Sequence, residues 1–276
     1  MALKLMYITN SPDIALIAEA AGVDRIFVDM EYIGKDIRQH GMDTVQHHHT
    51  LEDLASVRAV VTRSKVLVRC NPIHEATALY SDSATEIDSI IAGGADIIML
   101  PYFKTVTEVR TFLSLVNGRA RTCLLVETPE AVENIREILD LPGVDEVFIG
   151  LNDLSLGLGK KFMFEVLADG TVEALCRIFK EKGVPYGFGG IASLGRGMLP
   201  AEYIIKEHYR LGSTSVILSR SFCNTNKVTD KRVLRYIFMD GVSQVRRLEQ
   251  DCATGQVDYL QNKQDLCNIV RHIVES

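Results

Sequence analysis

The sequence predicts a closed (β/α)8 TIM barrel with extra C-terminal helices, and three observations carry that expectation. Eight short apolar segments alternate along the chain with helical segments, the pattern of βαβ units in a parallel sheet. A length of 276 residues is long for an ordinary domain, yet barrels of this kind commonly reach about 250 residues as one unit. A doubly wound open sheet predicts the same alternation, but the Gly-rich phosphate loop expected after its first strand is missing. The expected organisation is one domain over residues 1–276, with 230–276 as a C-terminal helical extension.

Leu3 to Ile8 reads as the first strand, and Asn10-Ser11-Pro12-Asp13 supplies a cap for a helix that runs to Ala21 and stops at Gly22. Strand two, Arg25 to Met30, delivers Asp29, Glu31 and Tyr32 at its exit. Lys35 to His49 is polar and reads as a long loop at the same end. Thr50 and Asp53 suit a capping box for a helix to Thr62, and Lys65 to Arg69 is strand three. A helix from Thr77 to Ala92 closes at Gly93-Gly94 before strand four, Asp96 to Leu100. Thr105 to Val116 is helical and ends at Asn117-Gly118. Thr122 to Val126 is an almost unbroken apolar run, the mark of a strand covered on both faces. Helical spacing of Ala131, Ile135, Ile138 and Leu139, stopped by Pro142-Gly143, leads to strand six at Val147 to Ile149. Lys161 to Leu167 and Val172 to Lys182 are helical, Tyr186 to Ile191 is a glycine-weakened strand seven, Pro200 to Leu211 is a helix, and Ser213 to Leu218 is strand eight. The tail has two helical segments separated at Ala253 to Gln256.

A hydrophobic content of 47% and a charged content of 24% describe a soluble globular chain with a sizeable core. A net charge of −6 without clustered Lys and Arg argues against nucleic acid and against an acidic membrane surface. No apolar stretch is long enough to span a bilayer, and no secretion signal opens the chain. The six cysteines lack C-x-x-C spacing and read as reduced thiols, so the expected location is cytoplasmic.

Glu127 follows the tip of strand five and Asp153 stands three residues past Gly150, at the exit of strand six. Right-handed crossovers bring the C-terminal ends of parallel strands to one side, so the two carboxylates can converge. A pair of oxygen ligands on a rigid rim suits a hard divalent cation such as Mg2+ or Mn2+. Glu127 capping a helix and Asp153 capping a turn is the competing explanation for the same residues.

The run Glu127 to Gly159, ETPEAVENIREILDLPGVDEVFIGLNDLSLGLG, resembles the signature of the HpcH/HpaI aldolase and citrate lyase family, and weaker similarity in register covers roughly residues 3 to 222. The resemblance implies a metal bound by Glu127 and Asp153. It also implies an Asp29-x-Glu31 pair ordering the surrounding shell, and Arg69 gripping the oxo-acid group of the substrate. The amides near Leu151, Asn152 and Asp153 are similar to that family's carboxylate-binding turn. The implied chemistry is aldol cleavage or condensation of pyruvate or a related 2-oxo acid with an aldehyde, in a homo-oligomer, a trimer or hexamer. Alternatives are a citrate-lyase-like thioester lyase, suggested by the short connection between strands four and five, and a non-catalytic homologue that binds metal and oxo acid.

The chain departs from that family where its pyruvate aldolases carry a His and a paired Asp: those positions hold Tyr32 and Ala92. Tyr32 is either a hydrogen-bond donor to an oxyanion or a rim-packing ring. A replacement base could come from His47, His48 or His49, with His48 the chosen candidate and His74 a lesser one. His40, His208 and His272 are expected at the surface. Arg196 and Arg220, at the barrel top, could meet a second carboxylate, a phosphate or a sugar acid, or could simply be solvated.

Overall fold

Strand sequences that are apolar on both faces can only be satisfied by a sheet covered inside and out, and the computed structural model, which describes residues 2–34 and 48–276, closes such a sheet on itself. The strands are β1 (Lys4–Ile8), β2 (Arg25–Asp29), β3 (Lys65–Arg69), β4 (Ile97–Leu100), β5 (Arg121–Val126), β6 (Glu146–Ile149), β7 (Tyr186–Ile191) and β8 (Ser215–Leu218). Each pairs in parallel with its sequence neighbours, and β8 pairs back onto β1. The expected (β/α)8 barrel with added C-terminal helices is what the chain forms.

Period-two alternation then sorts the side chains. One set, including Ile26, Val28, Leu124 and Val126, packs outward against the helices. The other, including Met6, Phe27, Leu67, Met99, Leu125 and Phe148, fills the barrel interior. Below that interior layer, Arg25 of β2 meets Glu146 of β6 in a buried two-point ion pair at 2.5 and 2.8 Å. Gly187 of β7 is demanded by contact: a Cβ there would lie 2.1 Å from Ser215 Oγ.

Helix starts follow local capping chemistry. Thr50 with Asp53, and Thr105 with Glu108, form reciprocal capping boxes. The helix expected from Thr77 begins only at Ser83, because Asp82 accepts from Thr85 N and the preceding residues turn around Thr77 Oγ1. The one expected over 161–167 shrinks to Glu165–Ala168, since Glu165 accepts from the amides of Lys161 and Phe162. The two C-terminal helices, Lys231–Ala253 and Tyr259–Glu275, pack on their own barrel; Glu249 accepts from Leu3 N at 2.6 Å and Arg246 donates to Leu3 O at 2.7 Å.

One expectation is overturned. His208 is not a surface residue: it is 0% exposed, stacked on Phe188 at 3.8 Å, with Nδ1 against Ser213 Oγ. It lies on the barrel-facing side of the helix Ala201–Leu211. Burial lowers its pKa to about 3.

Two stability predictions follow from these buried groups. Glu146→Leu strands the Arg25 charge inside the barrel and is expected to cost about 3–5 kcal/mol in a denaturant titration. Between the unfolded value of 6.5 and about 3, the unfolded chain takes a proton on His208 that the folded chain refuses, so stability is full above 6.5 and falls as pH drops. Glu173, lowered from 4.5 to about 2 chiefly by hydrogen bonds from Arg210 and Lys263, acts with the same sign only below 4.5. Denaturation midpoints of His208→Gln should therefore vary less with pH between 4.5 and 6.5 than those of the native protein; equal slopes would refute this assignment.

Candidate active site

The alternation that fills the barrel with apolar groups places Asp29, Arg69 and the residue after β5, Glu127, above them at the C-terminal mouth. Arg69 is anchored there by a two-point pair: Nε to Asp29 Oδ1 and Nη2 to Asp29 Oδ2, both 2.8 Å. Nη1 reaches Glu31 Oε2 at 3.2 Å, and the guanidinium lies over the Phe27 ring at 5.7 Å. Asp29 and Glu31 are 0% and 1% exposed. Burial pulls the Arg69 pKa down, but the Asp29 and Glu31 carboxylates more than offset this and hold it well above the ordinary value, so the cation is permanent.

Asp29 is fixed in turn by a histidine. His49 N donates to Asp29 O at 3.2 Å, and Asp29 N donates to His49 Nδ1 at 2.9 Å. With Nδ1 accepting, the ring carries its proton on Nε2.

Glu127 is 3% exposed and lies across the exit of β6. A Cβ on Gly150 would stand 2.7 Å from Glu127 Oε2, so only glycine leaves that space. Glu127 Oε1 accepts from Tyr102 N at 3.0 Å. Tyr102 has φ of 49°, an uncommon left-handed setting for a non-glycine residue that follows Pro101 at the exit of β4. The cap of the helix after Glu127 is Thr128, which accepts from Ala131 N, so Glu127 is not used as that cap.

Asp153 stands half-buried in the first turn of the helix Leu151–Gly157, with Asn152 Nδ2 donating to its Oδ1 at 3.0 Å. No side chain caps this helix at Gly150. Arg69, Glu127, Asn152 and Asp153 all line one cavity of about 200 Å3, floored by Phe27, Met99, Leu125 and Phe148. Glu127 and Asp153 also share an adjoining outer cavity with Tyr102 and Lys104. The two carboxylates thus face common space, which fits a hard cation that takes oxygen donors and completes its shell with water or substrate. No group of three or more His, Cys, Asp or Glu positioned to hold a metal occurs among the described residues.

The other sequence candidates lie around this centre. His48 is exposed on the wall of a second cavity of about 340 Å3 between β1 and β8, which His49 and Arg220 also line. His47 lies outside the described residues. Tyr32 is on the rim, its ring against Tyr80 at 5.3 Å and its amide donating to Asn71 Oδ1 at 2.9 Å. Asn71 is itself bound to Glu86, a half-buried residue whose carboxyl is raised above its ordinary value by loss of hydration. His74 is tied to backbone oxygens of Pro72 and Ser81. Reasoning from sequence missed Tyr102, Gly150 and the Asn71 bridge; only the Leu100-Pro101 strand exit and the Ile149-Gly150 step carried any signal for the first two.

A model of the HpcH/HpaI aldolase/citrate lyase family matches residues 4–182. The hydroxypyruvate/pyruvate aldolase of Rhizorhabdus wittichii is 37% identical over 75 residues, 25% of this chain and 30% of that protein. The match thus spans less than a third of that relative's length. The 4-hydroxy-2-oxovalerate aldolase of Novosphingobium aromaticivorans is 23% identical over 197 residues, 60% of this chain and 68% of that protein. In fold, the citrate lyase beta subunit complexed with oxaloacetate and magnesium from M. tuberculosis superposes with a TM-score of 0.58 at 17% identity, covering 86% of this chain and 97% of that one. No helix among the described residues is long and apolar enough to cross a membrane. The family match runs over more than half of the chain and includes both acidic strand exits, and the chain belongs to the HpcH/HpaI aldolase/citrate lyase family.

Proposed function

We propose that this protein is a divalent-metal-dependent carbon–carbon lyase that cleaves or forms an aldol bond between pyruvate, or a related 2-oxo acid, and an aldehyde. The observation that carries this reading is the meeting of Glu127, Asp153 and Arg69 on one cavity at the barrel mouth. Glu127 and Asp153 would hold Mg2+ or Mn2+, and the aldolase and magnesium-bound relatives support that choice. When bound, the cation would supply Lewis-acid polarisation of the substrate's keto oxygen.

The chain's own groups do the rest. The 2-oxo acid's carboxylate is received at the uncapped amides of Leu151, Asn152 and Asp153. In the cleavage direction the 4-hydroxyl proton leaves, the C3–C4 bond breaks, its electron pair becomes enolate charge, and protonation at C3 yields pyruvate beside the released aldehyde. Arg69, held rigid by Asp29 and Glu31, stands next to that developing charge and needs no reorganisation to stabilise it. The apolar floor beneath it lowers the local dielectric and strengthens the interaction. His48, on the wall of the adjoining cavity, is the group assigned to move the hydroxyl proton. Tyr32 takes no part in this reading. A homo-oligomer working in the cytoplasm is the expected setting.

Pyruvate release from 4-hydroxy-2-oxo acids, followed with lactate dehydrogenase and NADH, tests the reading: release should need Mg2+ or Mn2+ and stop with EDTA. Cleavage of acyl-CoA thioesters alone would point instead to citrate-lyase-like chemistry. Glu127→Gln should abolish both turnover and Mn2+ binding read by EPR. Arg69→Lys keeps the charge but loses the two-point grip on Asp29, and kcat is expected to fall by about 10²–10³ with Mn2+ binding retained; a wild-type kcat in that variant would remove Arg69 from the step.

A further inference from the structure

The N-terminal end of the barrel, opposite the candidate active site, holds a recess of about 850 Å3. Six cationic and three acidic side chains line it, in a protein whose net charge is −6. The strand pattern places its basic groups. Lys4, Lys65 and Arg121 are the first residues of β1, β3 and β5. Each stands two residues ahead of an interior side chain, Met6, Leu67 and Cys123 respectively, so period two turns all three toward the barrel axis at its lower opening. The buried Arg25–Glu146 pair closes the barrel above them, and the recess shares no lining residue with the mouth cavity.

The acids of the recess are committed to the backbone. Asp24, Asp96 and Asp145 immediately precede β2, β4 and β6, and each accepts from the second residue of the preceding strand: Leu5 N, Val66 N and Thr122 N, all at 2.8 Å. Asp24 also meets Arg246 at 3.0 Å, and Asp96 meets Arg58 at 2.9 Å and Lys65 at 3.0 Å. Arg119 pairs with Asp88 at 2.6 Å, outside the lining, and Arg63 donates to Glu19 O at 3.2 Å. Lys4 and Arg121 are left over: among the described residues neither has a carboxylate within ion-pair distance. Two cations thus face a concave space whose own acids are already engaged.

Their placement sets the shape of the anion. In a closed ring of eight strands β1 and β5 stand opposite each other, so Lys4 and Arg121 reach in from facing walls, with Lys65 of β3 midway between them. A single carboxylate or orthophosphate meets one wall only. A chain of phosphoryl groups carries charge at both ends and accepts hydrogen bonds from all sides, which suits a lysine acting as a point charge and an arginine acting as a fork. We infer that this recess binds an oligophosphate, free or as the phosphate chain of a nucleotide, held between Lys4 and Arg121. The site is independent of the aldolase reading, and its test needs neither metal nor turnover.

Calorimetric titration of the metal-free protein with tripolyphosphate, ATP, orthophosphate and citrate tests it. Tripolyphosphate should bind once per chain and at least about tenfold more tightly than orthophosphate, since only the chain engages both walls. Lys4→Gln and Arg121→Gln should each weaken that binding by about tenfold or more, and Arg121→Lys should restore part of it. Lys231→Gln removes an exposed charge outside the recess and should leave it unchanged. ATP binding as tightly as tripolyphosphate supports the site with a nucleotide as the carrier of the chain; much weaker ATP binding supports it with the free chain. Citrate binding more tightly than tripolyphosphate overturns the phosphate assignment. Failure of tripolyphosphate to bind the native protein overturns the site, as does binding that Lys4→Gln and Arg121→Gln, shown to be folded by circular dichroism, leave unchanged.

Discussion

The grip of Asp29 on Arg69 is the constraint on which the upper half of this barrel depends. A guanidinium buried between strands is costly unless its charge and its donors are met, and here two buried carboxylates meet them from the adjacent strand and its exit. Because the pairing is a planar two-point fork, it fixes orientation as well as charge, and Arg69 faces the mouth cavity without rotamer freedom. The same strand register that pairs Asp29 with Arg69 along β2 and β3 stacks Phe27 and Leu67 one layer below, so the charged pair rests on an apolar floor.

The interior is thus layered by polarity. An Arg25–Glu146 pair closes the bottom, apolar side chains fill the middle, and Asp29, Arg69 and Glu127 crown the top. Both ends carry an arginine from a buried strand, yet they serve different ends. At the bottom, the pair is sealed and buries each charge against the other. At the top, carboxylates hold one edge of the guanidinium while the group still borders open space. The apolar middle layer isolates the two, so each is strong in its own low-dielectric setting.

Around that crown, backbone conformation does what side chains cannot. Tyr102 adopts a left-handed setting that points its amide at Glu127, and Gly150 omits the side chain that would push Glu127 away. Helix Leu151–Gly157 starts immediately after, presenting first-turn amides to the same cavity as Asp153. The arrangement puts negative oxygen donors, a fixed cation and backbone donors around a single space, which is the set of complementary charges that enolate chemistry calls on.

How much of this could be read beforehand divides along a physical line. Strand and helix order, the barrel class, the capping box at Thr50, and the acids at the exits of β2, β5 and β6 were legible because each depends on period, propensity or local hydrogen bonding within a few residues. Arg69 was legible as a strand-end residue, but its partners were not, since hydrogen-bond geometry across strands depends on register and barrel closure. The histidine triplet shows the limit most clearly: one dimension holds no geometric ground for choosing His48 over His49, whereas in three dimensions His49 is buried against Asp29 and His48 is exposed on a cavity wall. His208 was misjudged for the same reason, because the Phe188 ring that covers it stands 20 residues away in the chain. The sequence by itself determined the alternation of elements and which residue types stand at the strand tips, as these follow from short-range sterics and burial periodicity. Only the tertiary structure decided which tips share a cavity, which arginine meets which carboxylate and where glycine is obligatory, because those outcomes depend on contacts between segments far apart in the chain.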